Sequence, residues 1–110
     1  MLSVMTETRV KAGHESDWDR AYHERAENAQ AQPGFVALQL LAPQPAQDGA
    51  ERDNQLRVVL GTWRNREDWE RWHATDTFKR TRAALNAATE DDGHERWFTV
   101  IEEHAAAVAS

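Results

Sequence analysis

The first residues of the chain alternate between apolar and polar side chains in the manner of a β-strand. One face of residues 2–10 carries Leu2, Val4, Thr6, Thr8 and Val10. The other face carries Ser3, Met5, Glu7 and Arg9. Because successive side chains of a strand point to opposite faces, this period of two predicts a strand over residues 2–10.

The apolar period lengthens to that of a helix between residues 15 and 31. One helical stripe collects the apolar and small residues together with an arginine, namely Trp18, Ala21, Tyr22, Arg25, Ala26 and Ala29. Charged and amide side chains fill the other positions, as on an amphipathic helix that packs against a sheet. Pro33 and Gly34 then predict a firm end to the helix.

Two apolar segments after this helix have the length of strands. Residues 35–42, FVALQLLA, are almost continuously apolar and are flanked by turn-forming residues, which predicts a strand buried on both faces. Residues 55–63 predict a third strand that ends in Trp63. Between them, residues 43–54 are polar and rich in Pro, Gln, Asp and Gly, which predicts a surface loop.

A second helical region follows the third strand in two pieces. Asn65 is the expected N-cap of the first piece, in which Trp69 and Trp72 share a face because they are three residues apart. We expect a break at residues 73–75 and a second piece over residues 76–88. A turn at residues 91–93 and a fourth strand over residues 96–102 complete the pattern.

The order strand, helix, strand, strand, helix, strand predicts an α+β fold. It is the ferredoxin-like βαββαβ arrangement, in which a four-stranded antiparallel sheet carries two helices on one face. The chain of 110 residues is long enough for one core and too short for two. We therefore expect a single domain over residues 1–104 and a loosely ordered C-terminal tail over residues 105–110.

The predicted sheet has more apolar surface than its own helices can cover. Residues 35–42 are apolar toward both sides, and the fourth strand has apolar side chains on adjacent positions, at Trp97, Phe98, Val100 and Ile101. Apolar faces of this kind usually mark an interface. We expect a second copy of the chain to pack on the sheet face under twofold symmetry, which makes a homodimer. The alternative is a monomer whose tail or long loop covers the sheet.

The composition narrows the classes of partner. Hydrophobic residues make up 40% of the chain and charged residues 29%, as in folded globular proteins. A net charge of −6 argues against nucleic acid as a partner, and no apolar run is long enough for a membrane span. The chain has no cysteine, and its scattered histidines show no metal-binding spacing, so we expect no metal site. The N-terminal residues lack a secretory signal pattern, and we expect a cytoplasmic protein.

A set of spaced motifs in the chain is similar to one found in a known family. A helix ends in Pro-Gly-Phe, a strand ends in Trp, and the next helix carries two aromatic residues and then Phe-Lys, here Pro33-Gly34-Phe35, Trp63, Trp69, Trp72 and Phe78-Lys79. In these positions the chain resembles the antibiotic biosynthesis monooxygenase (ABM) domain of the dimeric α/β barrel superfamily. The resemblance extends from about residue 4 to residue 101.

The resemblance implies a dimer with a cavity between sheet and helices in each subunit. Some members of this family oxidise polycyclic phenols and quinols without a cofactor, others bind heme and degrade it, and many have no known activity. The heme-degrading members carry a His just after the Phe-Lys. This chain has Arg80-Thr81-Arg82 there, and a guanidinium has no lone pair for iron. Heme binding through an unexpected histidine stays an alternative, and we expect no cofactor.

The function that we expect is cofactor-independent oxidation of an aromatic or quinol-type molecule in a hydrophobic cavity. His73 is the candidate base and Arg82 the candidate anion-binding group, and both are assigned as catalytic. The candidate substrate-binding residues are Trp63, Thr8, Tyr22, Phe78 and Trp72.

Each of these residues also has a structural interpretation. The aromatic residues could be core, and His73 and Arg82 could be solvated. His73 is expected to point away from Phe78, because residues five apart on a helix lie on different faces. A second alternative for the function is therefore a non-catalytic homodimer that binds a small ligand or has a structural role.

Overall fold

The computed structural model describes residues 1–44 and 55–107, which form four strands and three helices. Most of the expected loop at residues 43–54 lies outside the described residues. The elements are β1 Leu2–Arg9, α1 Glu15–Gln30, β2 Phe35–Leu41, β3 Leu56–Trp63, α2 Arg66–His73, α3 Asp76–Ala87 and β4 His94–Thr99. None of the helices in the described part of the chain is both long enough and apolar enough to cross a membrane.

The four strands form one antiparallel sheet in the order β2-β3-β1-β4. This topology confirms the ferredoxin-like prediction, and the second predicted helix consists of α2 and α3 with the expected break between them. Val4 stands between Gly61 on β3 and Trp97 on β4. The alternation of the strand therefore places Val4, Thr6 and Thr8 on the face that the helices cover.

The fourth strand begins and ends earlier than the sequence pattern predicts. It covers His94–Thr99 rather than residues 96–102, because its pairing with β1 runs from His94 opposite Glu7 to Thr99 opposite Leu2, where β1 itself begins. Beyond that point the Val100 N–H donates to the Met1 carbonyl at 2.9 Å, and Ile101 is 96% exposed. Val100 and Ile101 therefore do not contribute to the sheet face.

The expectation that β2 is buried on both faces is wrong for the single chain. Only Phe35 and Leu38 are half-buried, whereas Val36 and Leu40 are exposed. The reason is that β2 is an edge strand, paired only with β3, so its side chains have a neighbouring strand on one side only, and Leu40 is exposed although it pairs with Val59 on the helix-covered face.

The connection from α1 to β2 explains the Pro33-Gly34 motif. Gly34 has φ +82°, and a Cβ there would lie 2.0 Å from Asp68 Oδ2. The Asp68 carboxylate is buried and accepts from Arg64 at 2.9 Å and from Arg71 at 2.8 Å. Only glycine fits at this position, because the turn between α1 and β2 packs closely against the first turn of α2 here.

The core between sheet and helices consists of two clusters. The first is built mainly from β1, α1 and α3 and contains Val10, Trp18, Ala21, Tyr22, Leu85 and Ala88. The second lies near the end of β3 and contains Ala29, Trp63, Trp72 and Phe78. The residues after β4, 100–107, form no helix or strand. The expected domain boundary at residue 104 stays a prediction.

Candidate functional site

A cavity of about 140 Å³ lies between the sheet and the helices, lined by residues of both core clusters. Its sheet side consists of alternate residues of the inner strands, including Val4, Thr6, Val59 and Gly61. Its helix side includes residues of α1, α2 and α3. All seven candidate site residues line this cavity.

Three of the candidate residues form an aromatic wall. Trp63 is only 1% exposed, and its ring stacks on that of Trp72 with the centroids 5.0 Å apart. Phe78 meets Trp72 edge to face at 4.7 Å. The Trp72 indole N–H donates to Asn28 Oδ1 at 3.0 Å, which fixes this ring. These three side chains therefore belong to the core and also line the cavity.

His73 packs among these rings, contrary to the expected orientation. Its ring centroid lies 3.8 Å from that of Phe78 and 3.6 Å from that of Trp69. The expectation applied the spacing of a continuous helix to residues 73 and 78, although a break was itself expected at residues 73–75. Instead α2 ends at His73, and the extended backbone of Thr75 (ψ 151°) starts α3 in a new direction, so the five-residue separation no longer places the two side chains on different faces.

The hydrogen bond of His73 defines its tautomer. Nδ1 lies 2.8 Å from the Trp69 carbonyl oxygen. A carbonyl can only accept, so Nδ1 carries the proton and Nε2 presents a lone pair. Burial, with a smaller contribution from the cations Arg25 and Arg82, lowers the pKa of His73 to about 4, against the opposing effects of the Trp69 carbonyl and Glu95. At neutral pH the side chain is an uncharged acceptor in the cavity lining.

Arg25 is a residue of this site that the sequence analysis did not identify. Its Nε donates to Thr81 Oγ1 at 3.1 Å, one terminal nitrogen donates to the Phe78 carbonyl at 3.2 Å, and the guanidinium lies 4.1 Å from the Phe78 ring centroid. Burial and the charge of Arg82 lower the pKa of Arg25 to about 10. The available signal was an arginine within the apolar stripe of α1.

Arg82 lines the cavity from α3 although it is exposed to solvent on its outer side. Its guanidinium lies 5.9 Å from the Phe78 ring centroid. Within residues 1–44 and 55–107, neither Arg82 nor Arg25 forms an ion pair with a carboxylate. The cavity lining therefore contains two arginines that form no ion pair with a carboxylate of the described residues.

Tyr22 and Thr8 complete the set of candidate residues. Tyr22 stacks on Trp18 with the centroids 5.4 Å apart, and burial raises the pKa of its hydroxyl. Thr8 Oγ1 donates its proton to Asp91 Oδ1 at 2.7 Å, so it can only accept from a ligand. Their placement in the lining agrees with the expectation, and their roles stay predictions.

Two acidic residues, Asp92 and Glu95, also line the cavity. The Glu95 carboxylate accepts a hydrogen bond from the Trp97 indole N–H. Across the described ranges there is no group of three histidine or acidic side chains placed to hold a metal ion.

Comparisons with known proteins agree with this architecture. The sequence profile described as "Antibiotic biosynthesis monooxygenase" matches residues 1–84. A crystal structure of an antibiotic biosynthesis monooxygenase superposes with a TM-score of 0.77 at 22% identity, covering 93% of this chain and 100% of the other. SnoaB, a cofactor-independent oxygenase from Streptomyces nogalater, gives a TM-score of 0.74 at 20% identity, with 93% of this chain and 94% of the other covered.

A third solved structure, Rv0793 from Mycobacterium tuberculosis, gives a TM-score of 0.76 at 12% identity, covering 94% of this chain and 98% of the other. No curated protein sequence matches the chain. At these identities the solved structures establish the fold, and the sequence profile, which spans most of the chain, establishes the family. The chain belongs to the antibiotic biosynthesis monooxygenase family.

Proposed function

We propose that this chain is a monooxygenase that oxidises an aromatic, quinol-type small molecule in the cavity without a cofactor. The observation that carries the proposal is the placement of an uncharged His73 acceptor and two arginines without carboxylate partners in one aromatic-walled cavity. The fold that the chain shares with SnoaB, a cofactor-independent oxygenase, supports the same chemistry.

The arrangement suits removal of a proton from a phenolic hydroxyl. The hydroxyl donates to His73 Nε2, and Arg25 and Arg82 stabilise the negative charge that forms on the oxygen. The resulting phenolate is electron-rich and supplies the four electrons that reduce O₂: one oxygen atom enters the ring, the other leaves as water, and the substrate leaves as the quinone. The aromatic wall of Trp63, Trp72 and Phe78 holds the ring.

The energetics indicate an acidic substrate hydroxyl. His73 has a pKa of about 4, roughly six units below that of a tyrosine-like phenol, and this gap corresponds to about 8 kcal/mol. Charge-assisted hydrogen bonds from two arginines contribute roughly 3–6 kcal/mol together. The arginines therefore offset only part of the free-energy cost of the proton transfer. The part that is left favours a substrate whose hydroxyl is more acidic than that of tyrosine.

Oxygen consumption by the purified protein tests the proposal. The protein, treated with a chelator, is mixed with a panel of phenols and hydroquinones, and we expect catalysed O₂ uptake with at least one of them. His73→Gln keeps a polar group of similar length but cannot accept a proton, and should lower turnover by about 100-fold. His104→Gln, which changes a histidine that does not line the cavity, is the matched control.

Two other outcomes would favour the alternatives. Tight binding of a phenol with no O₂ uptake favours a non-catalytic ligand-binding protein.

His73 is the one histidine among the described cavity-lining residues, so its Nε2 is the donor that a heme would use. A Soret shift on titration with hemin that disappears in His73→Gln would favour the heme alternative. No shift, and none in Arg82→His, would remove it.

We also propose that the protein is a homodimer through the outer face of the sheet. This face carries a central apolar patch of Met5, Val58, Leu60, Leu41 and Phe98, in which Met5 lies directly opposite Leu60. Leu41 and Phe98 remain exposed in the single chain. The patch is flanked by charges of both signs, including Glu7 and Arg96, which suits a self-complementary twofold contact.

A further inference from the structure

We propose that the natural ligand of the cavity is a single-ring phenol, bound as its phenolate with the oxygen at the end where Arg25 and Arg82 lie. This inference rests on the proposed function, because it names the ligand class of the same site. It departs from the polycyclic phenols that the family resemblance implies.

The size of the cavity supports a single ring. Its volume is about 140 Å³, and an apolar protein cavity of about 150 Å³ holds one benzene molecule. The aromatic wall cannot easily move outward, because the Trp63 ring packs between two other rings. Its centroid lies 5.5 Å from that of Phe35 and 5.0 Å from that of Trp72. Two or three fused rings therefore exceed this volume and would have to extend through the open side of the cavity, where Arg82 reaches solvent.

The charges at the cavity support an anion. Arg25 and Arg82 both line it without a carboxylate partner in the described part of the chain. Three charged groups act on His73 from the surrounding elements, namely Arg25 on α1, Arg82 on α3 and Glu95 on β4. Asp92 lines the cavity as well, so two arginines and two carboxylates balance, and the support for an anion is that neither arginine forms an ion pair with either carboxylate.

The tautomer of His73 supports a hydroxyl rather than a carboxylate. Because Nδ1 donates to the Trp69 carbonyl, Nε2 can only accept. A carboxylate offers only acceptors and would face the Nε2 lone pair without a proton between them. A phenolic hydroxyl arrives with that proton and passes it to Nε2 on ionisation, so the phenolate oxygen then accepts from Nε2 and from the arginines. A phenol therefore satisfies the hydrogen-bonding requirements of His73 Nε2, Arg25 and Arg82.

Binding of 4-nitrophenol to the 110-residue chain tests the inference, since the phenolate form of this probe has a visible absorbance band. We expect the protein to lower the apparent pKa of the bound probe by at least one unit, which is a ten-fold preference for the phenolate. Arg82→Met should reduce this preference at least five-fold. Arg80→Met, on the same helix but paired with Glu24 outside the cavity, should leave it unchanged. Circular dichroism confirms that both variants fold.

Competition experiments define the results that would overturn the inference. We expect phenol to displace the probe at least ten times more effectively than 2-naphthol or 9-anthrol. Equal displacement by 9-anthrol would overturn the single-ring assignment, and stronger, Arg82-dependent displacement by benzoate would overturn the hydroxyl. Equal preference for the phenolate form in Arg82→Met and wild type would overturn the assignment of the ligand as a phenolate.

Phenolate binding as expected, without O₂ uptake, would contradict the proposed function alone. Turnover of polycyclic substrates only would contradict this inference alone.

Discussion

At the level of single residues, the chemistry of the cavity depends on His73 being uncharged. The sequence identified His73 as a candidate base because it lies next to the tryptophans, but the orientation expected from it was wrong. The structure shows the imidazole between Trp69 and Phe78, where burial opposes a positive charge. Arg25 was missed because an arginine in an apolar stripe is most often a residue whose stem packs and whose head is solvated.

The half-buried His73 should make the stability of the fold depend on pH. Its folded pKa of about 4 lies below the unfolded value of 6.5, so the unfolded chain binds an extra proton between these values. Stability therefore falls as pH drops from 6.5 toward 4, by roughly 2 kcal/mol at pH 5. Urea unfolding at pH 7 and pH 5 should show a smaller difference for His73→Gln than for wild type. An unchanged difference would show that His73 is not buried as described.

Gly61 should control the size of the cavity. A Cβ at this position would lie 3.3 Å from Leu38 Cδ1 and 3.8 Å from Trp63 Nε1, and all three residues line the cavity. We expect Gly61→Ala to weaken binding of 4-nitrophenol at least five-fold while it changes the free energy of unfolding by less than about 1 kcal/mol. Leu60→Val, which alters the neighbouring side chain on the outer face, should bind the probe as wild type does. Unchanged affinity in Gly61→Ala would place the ligand elsewhere.

At the level of secondary structure elements, most of the fold could be predicted from side-chain periods. The alternation in β1 and the stripe on α1 are strong patterns, and both elements occur where they were expected. The limits of β4 could not be read from residues 96–102, because they depend on the register with β1. The exposure of β2 also depends on its place at the sheet edge, which an apolar run does not reveal.

The break between α2 and α3 positions His73 against Phe78. Thr75 stabilises the break, because its hydroxyl donates to the Trp72 carbonyl at 2.7 Å and accepts from the Phe78 N–H at 3.2 Å. Thr75→Ala should lower the free energy of unfolding by about 1 kcal/mol and should also weaken 4-nitrophenol binding. Thr77→Ala, one position into α3, lacks these cap bonds and serves as the control. A Thr75→Ala protein with unchanged stability would contradict the cap.

At the level of the whole molecule, the outer sheet face determines the proposed assembly. Sedimentation should give a particle of about twice 12.6 kDa. Leu60→Glu introduces a charge at the centre of the apolar patch and should shift the protein to monomers at micromolar concentration. Ala84→Glu adds the same charge on an exposed position of α3 and should stay dimeric. A wild-type monomer would contradict the assembly, and the account of the cavity would remain.

The central claim is that this chain transfers oxygen to a phenol without a cofactor. The most direct measurement is the mass of the product formed from a single-ring hydroquinone under isotopically labelled O₂ by chelator-treated protein. The account predicts one labelled oxygen atom in the product and a loss of labelled product in His73→Gln and Arg82→Met. A product with no label from O₂, or equal labelled product from wild type and both variants, would contradict it.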